Sequence, residues 1–194
     1  WLATWLKELG VTKTEISYYA QNTKITASAA DKIKAMEMAL PPYLLMRDPR
    51  EPANSEVIIT SATGNKIQFY VAKRSPAIAD NLGRGMTAPI LLGDEFAYCP
   101  NNHITINVVL SAAQAARELA RKKGDIFSTV FCTTTGKRDT PEGRYAYDHV
   151  MASAIFNEAM YDCRDRDHLE ELVRKMSPKK RLHVNITLNH RQLN

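Results

Sequence analysis

"ILLGDEFAYC", residues 90–99, sets an unbroken apolar run against two adjacent carboxylates and returns at once to aromatic and apolar residues. A run of this kind is what a strand buried on both faces shows, and such strands belong to parallel sheets with helices on each side. Asp94 and Glu95 at its end repel each other and lose hydration unless a cation, a helix N-terminus or chemistry uses them. The function of the chain turns on which of these applies.

On either side of this stretch the sequence alternates between strand and helix patterns. Upstream, "WLATWLKEL" spaces its apolar residues like one face of a helix and stops at Gly10. "EISYYAQ" is β-rich, and the "TASAADKIKAMEMAL" that follows is an Ala-rich amphipathic helix ended by Pro41 and Pro42. The Pro-rich "PPYLLMRDPREPAN" reads as an internal loop rather than a linker, and "EVIITSA" and "KIQFYVA", joined by "TGN", read as a hairpin. "KRSPAIADNLGRGMTA" reads as a polar, Gly-containing loop that empties onto the apolar strand.

Downstream, "HITINVVLSAAQAARELARKKG" is one helix with Asn101 or Asn102 as its cap and Gly124 as its stop. "DIFSTVFC" is a second apolar strand, ending abruptly in "TTTGKRD". Pro141 opens a helix through about Tyr161, in which the apolar stripe of "MASAIFNEAM" belongs to the core. "DHLEELVRKM" is a shorter helix, and "RLHVNITL" closes with strand-like alternation. This succession predicts an α/β fold, a mostly parallel sheet flanked by helices, with residues 1–194 forming a single domain. Ligands of such sheets bind at the carboxyl ends of strands, where Asp94 with Glu95, and Thr133 to Thr135, are expected to fall.

Composition narrows the class. The chain has 194 residues, 44% of them hydrophobic and 24% charged, as in an ordinary globular domain without low-complexity tracts. No apolar run approaches the roughly 20 residues needed to span a bilayer, and no signal-peptide pattern is present, so a cytoplasmic protein without membrane partners is expected. Cys99, Cys132 and Cys163 are odd in number and far apart; "CPNNH" has no second half at metal-ligand spacing, and the thiols read as packing residues. The net charge of +5 gathers near the C-terminus, where Arg174, Lys175, Lys179, Lys180, Arg181 and Arg191 follow the last acid, Glu171. That run is either a solvated basic face or a surface for a polyanion. The five histidines form no ligand-like cluster in the sequence.

An acidic pair at the carboxyl end of a buried strand has the geometry of a Walker B element. Asp94 would hold hydrated Mg²⁺ and Glu95 would orient or deprotonate the water that attacks a γ-phosphate. The competing reading makes both residues first-turn acids of a following helix. The surrounding order bears on the choice: "SATGNKIQFYVAKRSPAIADNLGRGMTAPILLGDEFAY", then a helix, then "STVFCTTTGK". This succession resembles the ATPase core of the large terminase subunit, the DNA-packaging motor of tailed bacteriophages. "YYAQNTKITASAADKI" and "LPPYL" are similar to that family too, so the likeness runs from about Tyr18 to Asp148.

The resemblance implies an ASCE-type P-loop NTPase core that binds ATP and Mg²⁺ and drives double-stranded DNA into a capsid. Asp94 would be the metal-side carboxylate, Glu95 the catalytic one, and Thr133, Thr134, Thr135 and Gly136 the coupling motif that senses the γ-phosphate. Arg84 matches the arginine that the family carries before this strand, proposed to reach a neighbouring subunit's site as an arginine finger. Portal protein, the small terminase subunit and a homo-oligomeric ring are the implied partners.

The sequence departs from that pattern at one place. No GxxxxGK[S/T] occurs: Gly136 and Lys137 are followed by Arg138, with Phe131 where the first glycine should stand. "GRGMTA" has Ala88 where a dinucleotide fingerprint needs its third glycine. The resemblance implies that the Walker A loop lies before Trp1, the core being N-terminally incomplete, and that a nuclease domain would follow; "RLHVNITLNHRQLN" offers no set of metal-binding acids. Two further readings stand beside it: a helicase-type ATPase core, and a non-enzymatic α/β nucleic-acid-binding or assembly module in which Asp94 and Glu95 cap a helix.

Overall fold

Ile90, Leu91, Leu92 and Gly93 form β4 (Ile90–Gly93), and each of the four is buried. In a strand successive side chains point to opposite faces, so four buried residues in a row require a covering layer on both sides. The computed structural model, which describes residues 2–133, 139–180 and 182–186, supplies both layers.

β4 lies between β1 (Glu15–Ala20) and β5 (Ser128–Phe131) in a five-stranded sheet of order β2-β3-β1-β4-β5, with β2 (Val57–Thr60) and β3 (Asn65–Val71). All neighbours are parallel except the hairpin pair β2 and β3, so the chain is α/β with a mostly parallel sheet flanked by helices. Ile90 and Leu92 join Ile16, Ile58 and Ile67 on one face, beneath α1 (Leu2–Trp5), the π-helical turn Leu6–Gly10 and α2 (Thr23–Met38). Leu91 joins Tyr19, Met86, Phe96, Ile106 and Val109 on the other, beneath α3 (Pro76–Gly85), α4 (Asn102–Ala112) and α6 (Pro141–Met151). Burying each large aliphatic side chain contributes about 1.5–3 kcal/mol. Among the described residues β5 is an edge strand, and it is only half-buried.

Several expectations are corrected. The segment read as a Gly-containing loop is the helix α3, with Pro76 in its first turn. The reason is packing: a Cβ on Gly83 would lie 2.8 Å from both the Thr105 carbonyl oxygen and Val108 Cβ, so this glycine lets α3 press against α4. The single long helix is two, α4 and α5 (Gln114–Lys123), broken at Ala113 and ended at Gly124. Asn101 does stand at the N-cap of α4, as expected, but its side chain makes no capping hydrogen bond. Asn101 donates instead to the carbonyls of Lys73 and Arg74, and the buried Asn102 to those of Phe96 and Glu142.

α6 stops at Met151, ten residues short of Tyr161, and Ala154–Ile155 leave it as β6. Of "RLHVNITL", Arg181, Thr187 and Leu188 lie outside the described residues; within it Val184–Asn185 form β7, parallel to β6 in a two-stranded ribbon under α7 (Arg166–Met176) rather than in the main sheet. Of the three thiols only Cys99 is a buried packing residue, Cys132 being exposed and Cys163 half-buried. No helix of the described residues is long and apolar enough to cross a membrane.

The amino edge of the sheet is held by a buried charge cluster. Lys7, fully buried, donates to Glu8 and Thr60 and pairs with Glu37 at 2.8 Å. Arg47, from the Pro-rich loop, pairs with the second oxygen of Glu37 at 2.8 Å, and Glu8 accepts from the Met46 backbone N–H at 2.8 Å. Two cations and two anions thus balance where α2, β2 and the loop meet.

Removing one partner of such a cluster leaves uncompensated buried charge. Lys7→Met should cost about 3–5 kcal/mol, read as a lowered midpoint in chemical denaturation. Gly83→Ala should cost about 1–3 kcal/mol by overpacking the α3–α4 contact, measured the same way.

Candidate functional site

Asp94 and Glu95 leave the carboxyl end of β4 while the backbone ladder continues on both sides. The Asp94 N–H donates to the Tyr19 carbonyl (2.8 Å), the Cys132 N–H to Gly93 (2.8 Å) and the Phe96 N–H to Cys132 (3.0 Å). The acidic pair is therefore fixed between the ends of β1 and β5. Gly93 just before it is required by close approach, because a Cβ there would meet the Phe131 ring at 2.6 Å. That ring stacks on Phe96 with centroids 4.1 Å apart.

The two carboxylates are held differently. Asp94 accepts a hydrogen bond from the Tyr18 hydroxyl at 2.8 Å, and Tyr18 on β1 stands beside Leu92 of β4. Burial first, then this hydrogen bond and the Asp94 charge, push the Tyr18 phenol far above its ordinary value. Tyr18 is thus a donor throughout the physiological range. Glu95 adopts a left-handed backbone (φ 48°, ψ 46°), which costs a non-glycine residue of order 1–2 kcal/mol. It turns the chain into a single 3₁₀ turn, Phe96–Tyr98, with no side-chain cap. The pair therefore does not occupy the first turn of a regular helix.

The thiols nearby are disfavoured as thiolates. Cys99 is pushed up to about 12 by burial and then by the Asp94 and Glu95 charges, and Cys132 is raised by the same causes. Two groups missed in the sequence reading belong to this edge: Tyr18, whose role requires the β1–β4 register, and the exposed cations Lys73 and Arg74, two strands away after β3. Their loop is tied to the start of α4 by the Asn101 side chain. The "AKR" after an apolar run was the available signal.

The expected residues are only partly gathered. Thr133, exposed, follows Cys132 at the end of β5 and lies at the same edge as Asp94 and Glu95. Thr134, Thr135 and Gly136 lie outside the described residues, as do Arg181 and Arg191. Arg84 is not in a loop. It occupies the last turn of α3, pairs with Asp80 at 2.8 Å, and precedes the amino end of β4, whereas the carboxylates follow its carboxyl end. Within one chain it is not brought to them. Its pair is exposed, so releasing it would cost little.

No group of three or more His, Cys, Asp or Glu among the described residues could hold a metal ion. Mg²⁺ needs fewer protein ligands, because it keeps several waters and takes phosphate oxygens as well. One partly exposed carboxylate oriented by a tyrosine fits that requirement; a phosphate cradle is not present among these residues.

The raised Tyr18 phenol has a consequence for stability. Its contribution is full below the unfolded value of 10.0 and is lost as pH rises above it, because the unfolded state alone then sheds the proton. Tyr19, raised mainly by burial, acts in the same direction. The thermal midpoint should fall as pH passes about 10, and less steeply in Tyr18→Phe. No family model matches the chain, and no curated protein does either.

Proposed function

We propose that this chain is part of the ATP-hydrolysing motor domain of a DNA-packaging terminase large subunit, an ASCE-type P-loop NTPase core completed by a Walker A segment from outside these residues. The observation that carries the reading is the acidic pair held between two parallel strands at the carboxyl edge of a fully buried strand, Asp94 oriented by Tyr18 and Glu95 turned by a strained backbone. Strain of this kind persists only where surrounding structure imposes it, and it concentrates at functional sites.

Each residue then has a task. Asp94, fixed by Tyr18, is the side chain that would bind hydrated Mg²⁺. Glu95 orients the attacking water and accepts its proton. ATP with Mg²⁺, when bound, supplies the polarised γ-phosphate. Thr133 leads the coupling motif that Thr134, Thr135 and Gly136 continue. Arg84 would act on a neighbouring subunit in a homo-oligomeric ring, its guanidinium stabilising charge on the transferred phosphoryl group. The exposed cations provide sequence-independent contacts to double-stranded DNA, which makes binding salt-sensitive. Portal protein and the small terminase subunit are the partners of such a motor, and the host-cell cytoplasm is its setting.

A second reading, a non-enzymatic nucleic-acid-binding or assembly module, is favoured by one observation: the sequence contains no GxxxxGK[S/T]. DNA-stimulated ATP hydrolysis by the longest parent chain separates the two. Glu95→Gln should lower turnover by about 10²–10⁴-fold with the circular dichroism unchanged. Residues 1–194 alone should hydrolyse little or no ATP. Equal hydrolysis by wild type and Glu95→Gln, or none by either, favours the module.

A further inference from the structure

A cleft of about 560 Å³ opens between α4, α6, the end of α7 and the segment leading into β7, on residues unrelated to the acidic pair. It is lined by Asn107, Tyr145, His149, Arg174, Lys180 and His183, and no carboxylate contributes to its wall among the described residues. Arg174 and Lys180, both exposed, take part in no ion pair with any described residue. Among the described residues no carboxylate therefore pairs with either cation at the mouth of the cleft.

Three rings also line the wall, beside Leu110 and Leu182. Tyr145 and His149 have ring centroids 4.4 Å apart, and His149 stacks on His183 at 5.3 Å with 20° between planes. These rings are fixed in place: the Tyr145 hydroxyl bonds Asn107 Oδ1 at 3.0 Å, and His149 Nδ1 donates to the Tyr145 carbonyl at 3.1 Å. Asn107 thereby presents its amide N–H₂ as a donor.

Cationic groups beside a stacked imidazole pair and a tilted phenol ring match a ligand with a phosphate at one end and a planar ring at the other. The volume is several times that of a phosphate ion and lies within the range of small-molecule sites. We propose that this cleft is a nucleotide-binding site separate from the Asp94–Glu95 edge. Arg174, Lys180 and the Asn107 amide take the phosphate, and the Tyr145, His149 and His183 rings take the base. The ligand is a nucleoside monophosphate unit, either free or as one unit of a single-stranded nucleic acid. The assignment is independent of the ATPase reading.

Histidine side-chain NMR of this chain tests it, because His149 and His183 report on the cleft while His168, on the first turn of α7, serves as a control. The probes are AMP, inorganic phosphate and a short single-stranded oligodeoxynucleotide, each taken to millimolar concentration. AMP should shift His149 and His183 but not His168, and should bind more tightly than inorganic phosphate. Arg174→Ala with Lys180→Ala, both at exposed positions, should weaken AMP by about tenfold or more with the thermal midpoint unchanged. A response to the oligonucleotide but not to AMP identifies the nucleic-acid chain as the source of the unit; the reverse identifies the free nucleotide. The proposal is overturned if no probe moves the two imidazoles, if neither AMP nor the oligonucleotide binds more tightly than phosphate, or if the double variant binds the responding probe as wild type does.

Discussion

A strand with no exposed face is the constraint on which this structure depends. Because Ile90 to Gly93 are buried in both directions, the chain needs α1 and α2 on one side and α3, α4 and α6 on the other. The same burial sends the chain out at one point only, the carboxyl edge, and the first two residues to emerge are acids. Two carboxylates there are costly unless they are used. Tyr18 offsets part of that cost for Asp94, and a left-handed turn carries Glu95 away from the direction of the strand.

The two edges of the sheet differ in what their charges do. At the amino edge, Lys7, Glu8, Glu37 and Arg47 satisfy one another, and the cluster joins elements distant in sequence. A closed set of this kind holds structure together and offers nothing to a ligand. At the carboxyl edge the cations Lys73 and Arg74 are exposed, and the acids are only partly covered. Phe96, one residue beyond Glu95, stacks on Phe131 and lies edge-on to His149 at 6.2 Å. One ring therefore separates the acidic edge from the wall of the cleft between α4 and α6.

Much of the fold was legible along the chain because it rests on short-range chemistry. The β-rich and apolar segments located β1, β2, β3, β4 and β5; Pro41 and Gly124 ended helices where those residues usually do; and "TGN" placed the hairpin. What failed did so at positions whose residues serve distant partners. The glycines around Arg84 looked like loop formers, yet Gly83 is there to admit Val108 and Thr105 of α4. Asn101 and Asn102 looked like caps, yet their amides hold the loop after β3 and the turn after β4.

By itself, the sequence determined the α/β class, the strand buried on both faces and the position of the acidic pair at its end, since each follows from local pattern and residue type. Only the tertiary structure decided that Tyr18 binds Asp94, that Arg84 belongs to a helix paired with Asp80, and that residues from 107 to 183 enclose one cleft. Those outcomes depend on strand register and helix packing, which are set by the sum of many weak contacts between segments far apart in the chain, and no local pattern encodes such a sum.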